Sequence, residues 1–200
     1  MLNASRTWMA LVHHPVYDRD HNIVTTAITN LDVHDLARSS RTYGLAGYIL
    51  VTPITAQRAL AEHILGHWRQ EDRKTAHRAE ALSRGLVVNS VDDAIAHVTK
   101  HTGKPRVVMT TARPRGGQIA HLHFAELDDQ PTLLLFGTGW GLADSILDRV
   151  DHCLAPIRGG ADYNHLSVRS AAAITLDRLF GERESTASET TSPTGNGQGP

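Results

Sequence analysis

Along the first 180 residues, short apolar runs alternate with stretches of helical periodicity. The runs at 7–12, 46–51, 85–89, 106–110, 132–136 and 152–157 are rich in Val, Ile and Leu and predict buried strands. Between them the spacing predicts helices over about 30–44, 54–69, 91–101, 141–149 and 165–180. Ser90 followed by Asp93 is a capping-box signature for the third helix, and Gly103 and Pro105 end it. This strand–helix rhythm predicts one α/β domain, a mainly parallel sheet with helices on both faces. The last twenty residues are mostly Ser, Thr, Gly, Glu and Pro without apolar periodicity, so the domain is expected over 1–181 and a disordered tail over 182–200.

Composition narrows the class. With 40% hydrophobic and 20% charged residues in 200, the chain has a globular balance and enough length for a full core. No apolar run reaches the roughly 18 residues of a membrane helix, and the start lacks a signal-peptide pattern, so a soluble cytoplasmic domain is expected. A single cysteine, Cys153, excludes a disulfide scaffold or a Cys-rich zinc module. The net charge is −1, yet residues 58–115 carry eleven Lys or Arg against six Asp or Glu, and 116–200 carry five against eleven. A basic middle suits a polyanion, although a merely dipolar surface explains it equally. Thirteen histidines include His63/His67 and His97/His101 at i, i+4, and His121/His123 at i, i+2 on a possible strand. No His-Glu-x-x-His pattern accompanies them, so no metal site is expected.

Open parallel sheets bind ligands beyond the carboxyl ends of their strands. Three such ends carry candidate chemistry: 110–117, 136–141 and 156–170. Phe136 opens a run, FGTGWGL, in which Gly137, Gly139 and Gly141 permit close backbone approach to a ligand, with the amides of a following helix to receive a polar group; a tight turn is the plain alternative. Its spacing is not that of a dinucleotide fingerprint, and no early G-x-G-x-x-G exists, which disfavours a nicotinamide enzyme. In the third segment Pro156, Gly159 and Gly160 break the chain, and Asp162, Tyr163, Asn164, His165 and Ser167 crowd before a helix with an Ala171–Ala173 patch. That patch fits helix-on-sheet packing or a subunit interface. On the first helix His34, Asp35, Arg38 and Arg41 lie on neighbouring positions, where an arginine is a phosphate contact or part of a solvated face.

Taken together, FGTGWGL, the downstream APIRGGADYNHLSVRSAAAI, and TNLDVHDLARSSRTYG with Arg38 six residues before Gly44 resemble the three motifs of the SPOUT superfamily of S-adenosylmethionine-dependent RNA methyltransferases. The resemblance spans about residues 7–181, and the wording is similar to that of a little-studied bacterial RNA methyltransferase family within it. It implies a deep C-terminal trefoil knot and a homodimer packed through the last helix, each site being completed across the interface. The donor, S-adenosylmethionine, would be held by three loops. The first supplies Thr110, Thr111 and Ala112, and the second Phe136, Gly137, Thr138, Gly139 and Gly141. The third supplies Pro156, Ile157, His165, Leu166 and Ser167. Arg38 is the first candidate for activating the acceptor or binding its phosphate. The ribose branch has Asn within S-L-N where this chain has His165-Leu166-Ser167. Asn164 is therefore a substitute and Asp162 a general base for a ring nitrogen, which leaves the methylated atom open. The implied activity is methylation of a tRNA or rRNA nucleotide. A knotted enzyme acting on a small molecule, or an RNA-binding module without catalysis, are the alternatives.

Overall fold

The computed structural model describes residues 1–69 and 76–182, so nearly all of the expected tail lies outside the described residues. Six strands form one parallel sheet in the order β5-β4-β1-β7-β6-β8: β1 Thr7–Val12, β4 Gly47–Val51, β5 Gly85–Val88, β6 Arg106–Met109, β7 Thr132–Gly137 and β8 His152–Cys153. Every strand forecast from the apolar runs is present, with ends shifted by a residue or two except at β8. There the run 152–157 yields two paired residues. Leu154 is then held by a single bridge to Ile119, and Pro156 and Ile157 lie outside the ladder.

Burial on both faces explains the continuous apolar runs. Along β1, Met9 and Leu11 face one core while Trp8, Ala10 and Val12 face the other. The first core is covered by helices α1 Asn30–Thr42, α2 Thr55–Arg69, α3 Ala76–Ser83, α5 His121–Ala125 and α6 Val168–Phe180. The second is covered by α4 Val91–Thr102 and by a 3₁₀ turn at Asp144–Arg149. Trp8 lies across Gly47 of the neighbouring strand, where a Cβ would sit 2.5 Å from its ring, so that strand position admits no side chain. The capping box holds: the Asp93 amide donates to Ser90 Oγ at 3.1 Å, the Ser90 hydroxyl donates back to the Asp93 carboxylate at 2.8 Å, and Gly103 closes α4 at φ 103°.

Five features differ from the sequence forecast, the first being helix α3 at Ala76–Ser83, where none was expected. The helix expected at 141–149 is only the 3₁₀ turn, because residues 138–143 are claimed by other backbone partners before a helix can start. The helix expected from 165 begins at Val168, with Ser167 accepting the Ser170 amide as N-cap. His121 and His123 lie on helix α5, not on a strand: the pairing ends with the bridge at Ile119, and the Phe124 amide then closes a helical turn on Ala120 O at 2.9 Å. A two-stranded hairpin, β2 Val16–Tyr17 and β3 Ile23–Val24, was too short to give a period.

Two histidines are buried in this framework. His13 follows β1, is fully inaccessible, and burial pushes its pKa down to about 4 against an opposing pull from Asp32. His121 is 7% exposed and is pushed down to about 4 by burial, helped by the Arg178 charge. Unfolding raises both towards the free value of 6.5, so the unfolded chain binds more protons between those limits. The stability they confer is complete above about pH 6.5 and is lost as pH falls towards 4, at roughly 3 kcal/mol for a shift of this size. Calorimetric melting between pH 7 and 5 should therefore show a falling Tm. The His13→Asn/His121→Gln double variant should show a clearly smaller fall, and an equal fall would remove these two residues as its cause.

Candidate active site

All six sheet strands run the same way, so their carboxyl ends share one edge. The chain runs outward from β1 to β4 and β5 on one side, then returns to build β6 and β7 on the other. The order reverses between β1 and β7, the place where open sheets leave a crevice. A cavity of about 940 Å³ opens there.

Three loops and one hairpin edge wall it. After β6 come Thr110, Thr111, Ala112 and Arg113; after β7 come Gly137, Thr138, Gly139, Trp140 and Gly141, with Phe136 behind them. After β8 come Leu154, Ala155, Ile157 and Arg158, then Asp162, Asn164, His165, Leu166 and Ser167. Thr26, Ala27 and Asp32 complete the wall from the β1 side, and His121, Ala171 and Thr175 close it from α5 and α6. All the residues expected to hold a donor are thus brought together, apart from Pro156. Its neighbours Ala155 and Ile157 line the cavity instead, because the chain turns there and presents the flanking residues.

The glycine loop takes its shape from backbone bonds to the hairpin. Tyr17 N–H donates to Gly141 O at 2.9 Å, Trp140 N–H donates to Tyr17 O at 2.9 Å, and Ala143 N–H donates to Pro15 O at 3.1 Å. Gly139, at φ 57°, passes so close that a Cβ would lie 2.8 Å from Tyr17 O. These bonds use the amides that a helix start would have left free.

A side-chain relay anchors the same loop beneath. Thr138 Oγ1 donates to Val12 O at 3.1 Å, so Thr26 Oγ1 donates to Thr138 Oγ1 at 2.5 Å. His13 Nδ1 must then donate to Thr26 Oγ1, at 2.9 Å, which fixes the neutral Nδ1–H tautomer and leaves its buried Nε2 unpartnered. The depressed pKa of His13 agrees with a ring held neutral by burial.

Local bonds occupy several candidate groups. Asn164 Nδ2 donates to Ala112 O at 3.2 Å, tying the third loop to the first, and Ser167 Oγ caps α6. Asp162 is exposed, and its carboxylate has no hydrogen bond or ion pair among the described residues. Asp32 is buried and held by the Thr29 hydroxyl at 2.6 Å and by Arg169 at 3.3 Å, the latter joining α1 to α6. Arg38 does not reach this cavity. It lines a second depression of about 460 Å³ with Asp35, Tyr43, Arg169 and Ala173, and Ser167 borders both. The motif region around Trp140 and Arg158 was read for its glycines and prolines, so these two side chains, like the hairpin-side Thr26 and the α5 residue His121, went unrecognised. Among the described residues no group of three or more His, Cys, Asp or Glu is placed to hold a metal ion.

The lining fits an amphiphilic ligand of S-adenosylmethionine's kind. Phe136, Leu154, Ile157 and Leu166 offer apolar surface for a ring system. The hydroxyls of Thr110, Thr111 and Thr175 and the loop backbone offer polar partners, in a volume typical of cofactor sites.

Comparisons with known proteins agree. A tRNA (guanine-N1)-methyltransferase of Nitratidesulfovibrio vulgaris is 46% identical over 178 residues, which are 88% of this chain and 42% of that protein, so the chain spans less than half the length of that relative. An uncharacterized protein of Aquifex aeolicus is 36% identical over 186 residues, covering 90% of each chain. The SpoU methyltransferase AviRb of Streptomyces viridochromogenes, solved with AdoMet, shares the fold at TM-score 0.54 and 16% identity, over 86% of this chain and 56% of that one. The model of a family described as SAM-dependent RNA methyltransferase matches residues 6–181, and this chain belongs to that family.

Proposed function

We propose that the chain transfers a methyl group from S-adenosylmethionine to a nucleotide of tRNA or rRNA, as a cytoplasmic homodimer with a C-terminal trefoil knot. The observation that carries this reading is the 940 Å³ cavity, in which loops widely separated in sequence converge on a site of the donor's size and polarity. Bound there, the donor supplies an electrophilic methyl on a sulfonium. The backbone of Thr110–Ala112 and of Gly137, Thr138, Gly139 and Gly141, with Ile157 and Leu166, would hold its adenosine. The Thr138 hydroxyl, fixed through Thr26 and His13, keeps the glycine loop in place without reorganisation. Asp162, unpaired at the cavity wall, would take the proton from the acceptor atom. Most of the acceleration then comes from alignment of acceptor and methyl.

Arg38 supports the dimeric reading. Its guanidinium has no ion-pair partner among the described residues and lies in a depression that shares Ser167 with the cavity. Beside it, Ala173 leaves α6 room for close approach of a second subunit. In that arrangement Arg38 serves the neighbouring subunit's acceptor.

Two outcomes follow. Titration with S-adenosylhomocysteine should show saturable binding and raise the Tm by about 5 °C or more at 100 times its Kd. Gly137→Val should lose this binding, because its Cβ would meet the Leu142 amide at 2.7 Å; unaltered binding would place the donor elsewhere. Arg38→Ala should lose methyl transfer while keeping donor affinity. Co-refolding it with Gly137→Val should restore about a quarter of wild-type activity if Arg38 acts across a two-fold interface, and none if it acts within its own subunit.

A further inference from the structure

Trp140 stands out among the chain's three tryptophans. Trp8 is 9% exposed and Trp68 half-buried, whereas Trp140 is 51% exposed although it lines the cavity. Its backbone is held on both sides. Trp140 N–H is bonded to Tyr17 O, the glycines before and after it adopt φ 57° and 106°, and Leu142 two residues on is buried. A large indole is thus presented on a fixed loop with half its surface uncovered.

Two arginines accompany it. Arg113 on the β6 loop and Arg158 on the β8 loop line the same cavity, are exposed, and have no carboxylate partner among the described residues. The other nearby charges are mostly engaged: Arg115 with Asp144 at 2.8 Å, and Asp32 with Arg169 at 3.3 Å. An exposed aromatic face flanked by unpaired guanidinium groups is the chemistry that receives an unstacked nucleotide: ring on ring, phosphate on arginine. An enzyme working on one nucleotide must draw it out of its stack, and a rigid indole offsets the lost stacking.

We propose that Trp140 is the stacking platform for the acceptor nucleobase, with Arg113 and Arg158 contacting the adjoining phosphates of single-stranded RNA. The inference rests on the RNA methyltransferase reading and names the acceptor side of that site.

The probe is a fluorescein-labelled 12-nucleotide RNA of mixed sequence, titrated by anisotropy against the full chain saturated with S-adenosylhomocysteine. Trp140→Ala should weaken RNA binding about ten-fold, and Trp140→Phe should recover most of it. Neither should alter calorimetric affinity for S-adenosylhomocysteine. Trp140→Ala should leave the dependence of log affinity on log salt unchanged, whereas Arg113→Ala/Arg158→Ala should make that slope shallower by about one unit or more. Undiminished RNA binding by Trp140→Ala overturns the platform alone, as does a loss of donor affinity, which would assign the indole to the donor. A wild-type chain that binds neither RNA nor donor overturns the underlying reading as well.

Discussion

The site depends on how the chain leaves β1. Straight after that central strand come His13, a cis His14–Pro15 bond and the short hairpin of Val16–Val24, which lays its backbone against the glycine loop after β7. The loop's conformation is therefore a property of two distant segments, 12–26 and 137–143. Backbone bonds shape it from one side, and the relay from His13 through Thr26 and Thr138 to Val12 O fixes it from below. The relay's direction follows from its last acceptor, a carbonyl that can only receive. It directs the Nδ1 proton of a histidine that burial keeps neutral and leaves Nε2 without a partner, a cost that the packing of the central strand must offset.

From that anchor the cavity follows. Parallel strands put every carboxyl end on one edge, and the reversal of strand order between β1 and β7 leaves the gap there. Helix α6 closes the far wall and is bound to α1 by Arg169, which reaches both Asp32 and Asp35, and by the Tyr43 hydroxyl donating to Asp177 at 3.2 Å. Asn164 ties the β8 loop to the β6 loop across the opening. Such bonds between loops add to those within them, from the Gly141 amide to Thr138 O and from the Arg113 amide to Thr111 Oγ1, both at 3.1 Å. The cavity lining includes the hydroxyls of Thr110, Thr111 and Thr175, while the unpaired Arg113 and Arg158 stand at exposed positions.

The apolar runs announced all six sheet strands because β1, β4, β6 and β7 are buried on both faces, which shows as an unbroken run, and the half-buried edge strands β5 and β8 begin runs of the same kind. Helices α1 and α4, each with a side-chain cap and an apolar stripe, and α2, with a stripe alone, were visible for the same kind of reason: their signals are local. The hairpin at 16–24 has two residues per strand, α5 has five, and neither is long enough to show a period. The forecast helix at 141–149 failed because the Gly141 carbonyl, the acceptor its first turn needed, receives the Tyr17 amide, while Trp140 and Ala143 are drawn to Tyr17 and Pro15, residues more than a hundred positions away. The residues of the cavity loops were legible from glycines and their order, whereas Trp140, Thr26, Asp32 and His121 carry no such mark in a single sequence.

By itself the sequence determined the α/β class, the strands, the three loops that wall the cavity and the resemblance that family membership bears out. These rest on hydrophobic period and on residues whose backbone freedom or rigidity is intrinsic to them. Only the tertiary structure decided that Arg38 stands outside the cavity, that His13 is buried and neutral beneath the glycine loop, and that Trp140 is left uncovered. Each of those facts is set by which distant segment lies alongside. The free energy that settles it comes from burial and from bonds between loops, which no local pattern encodes.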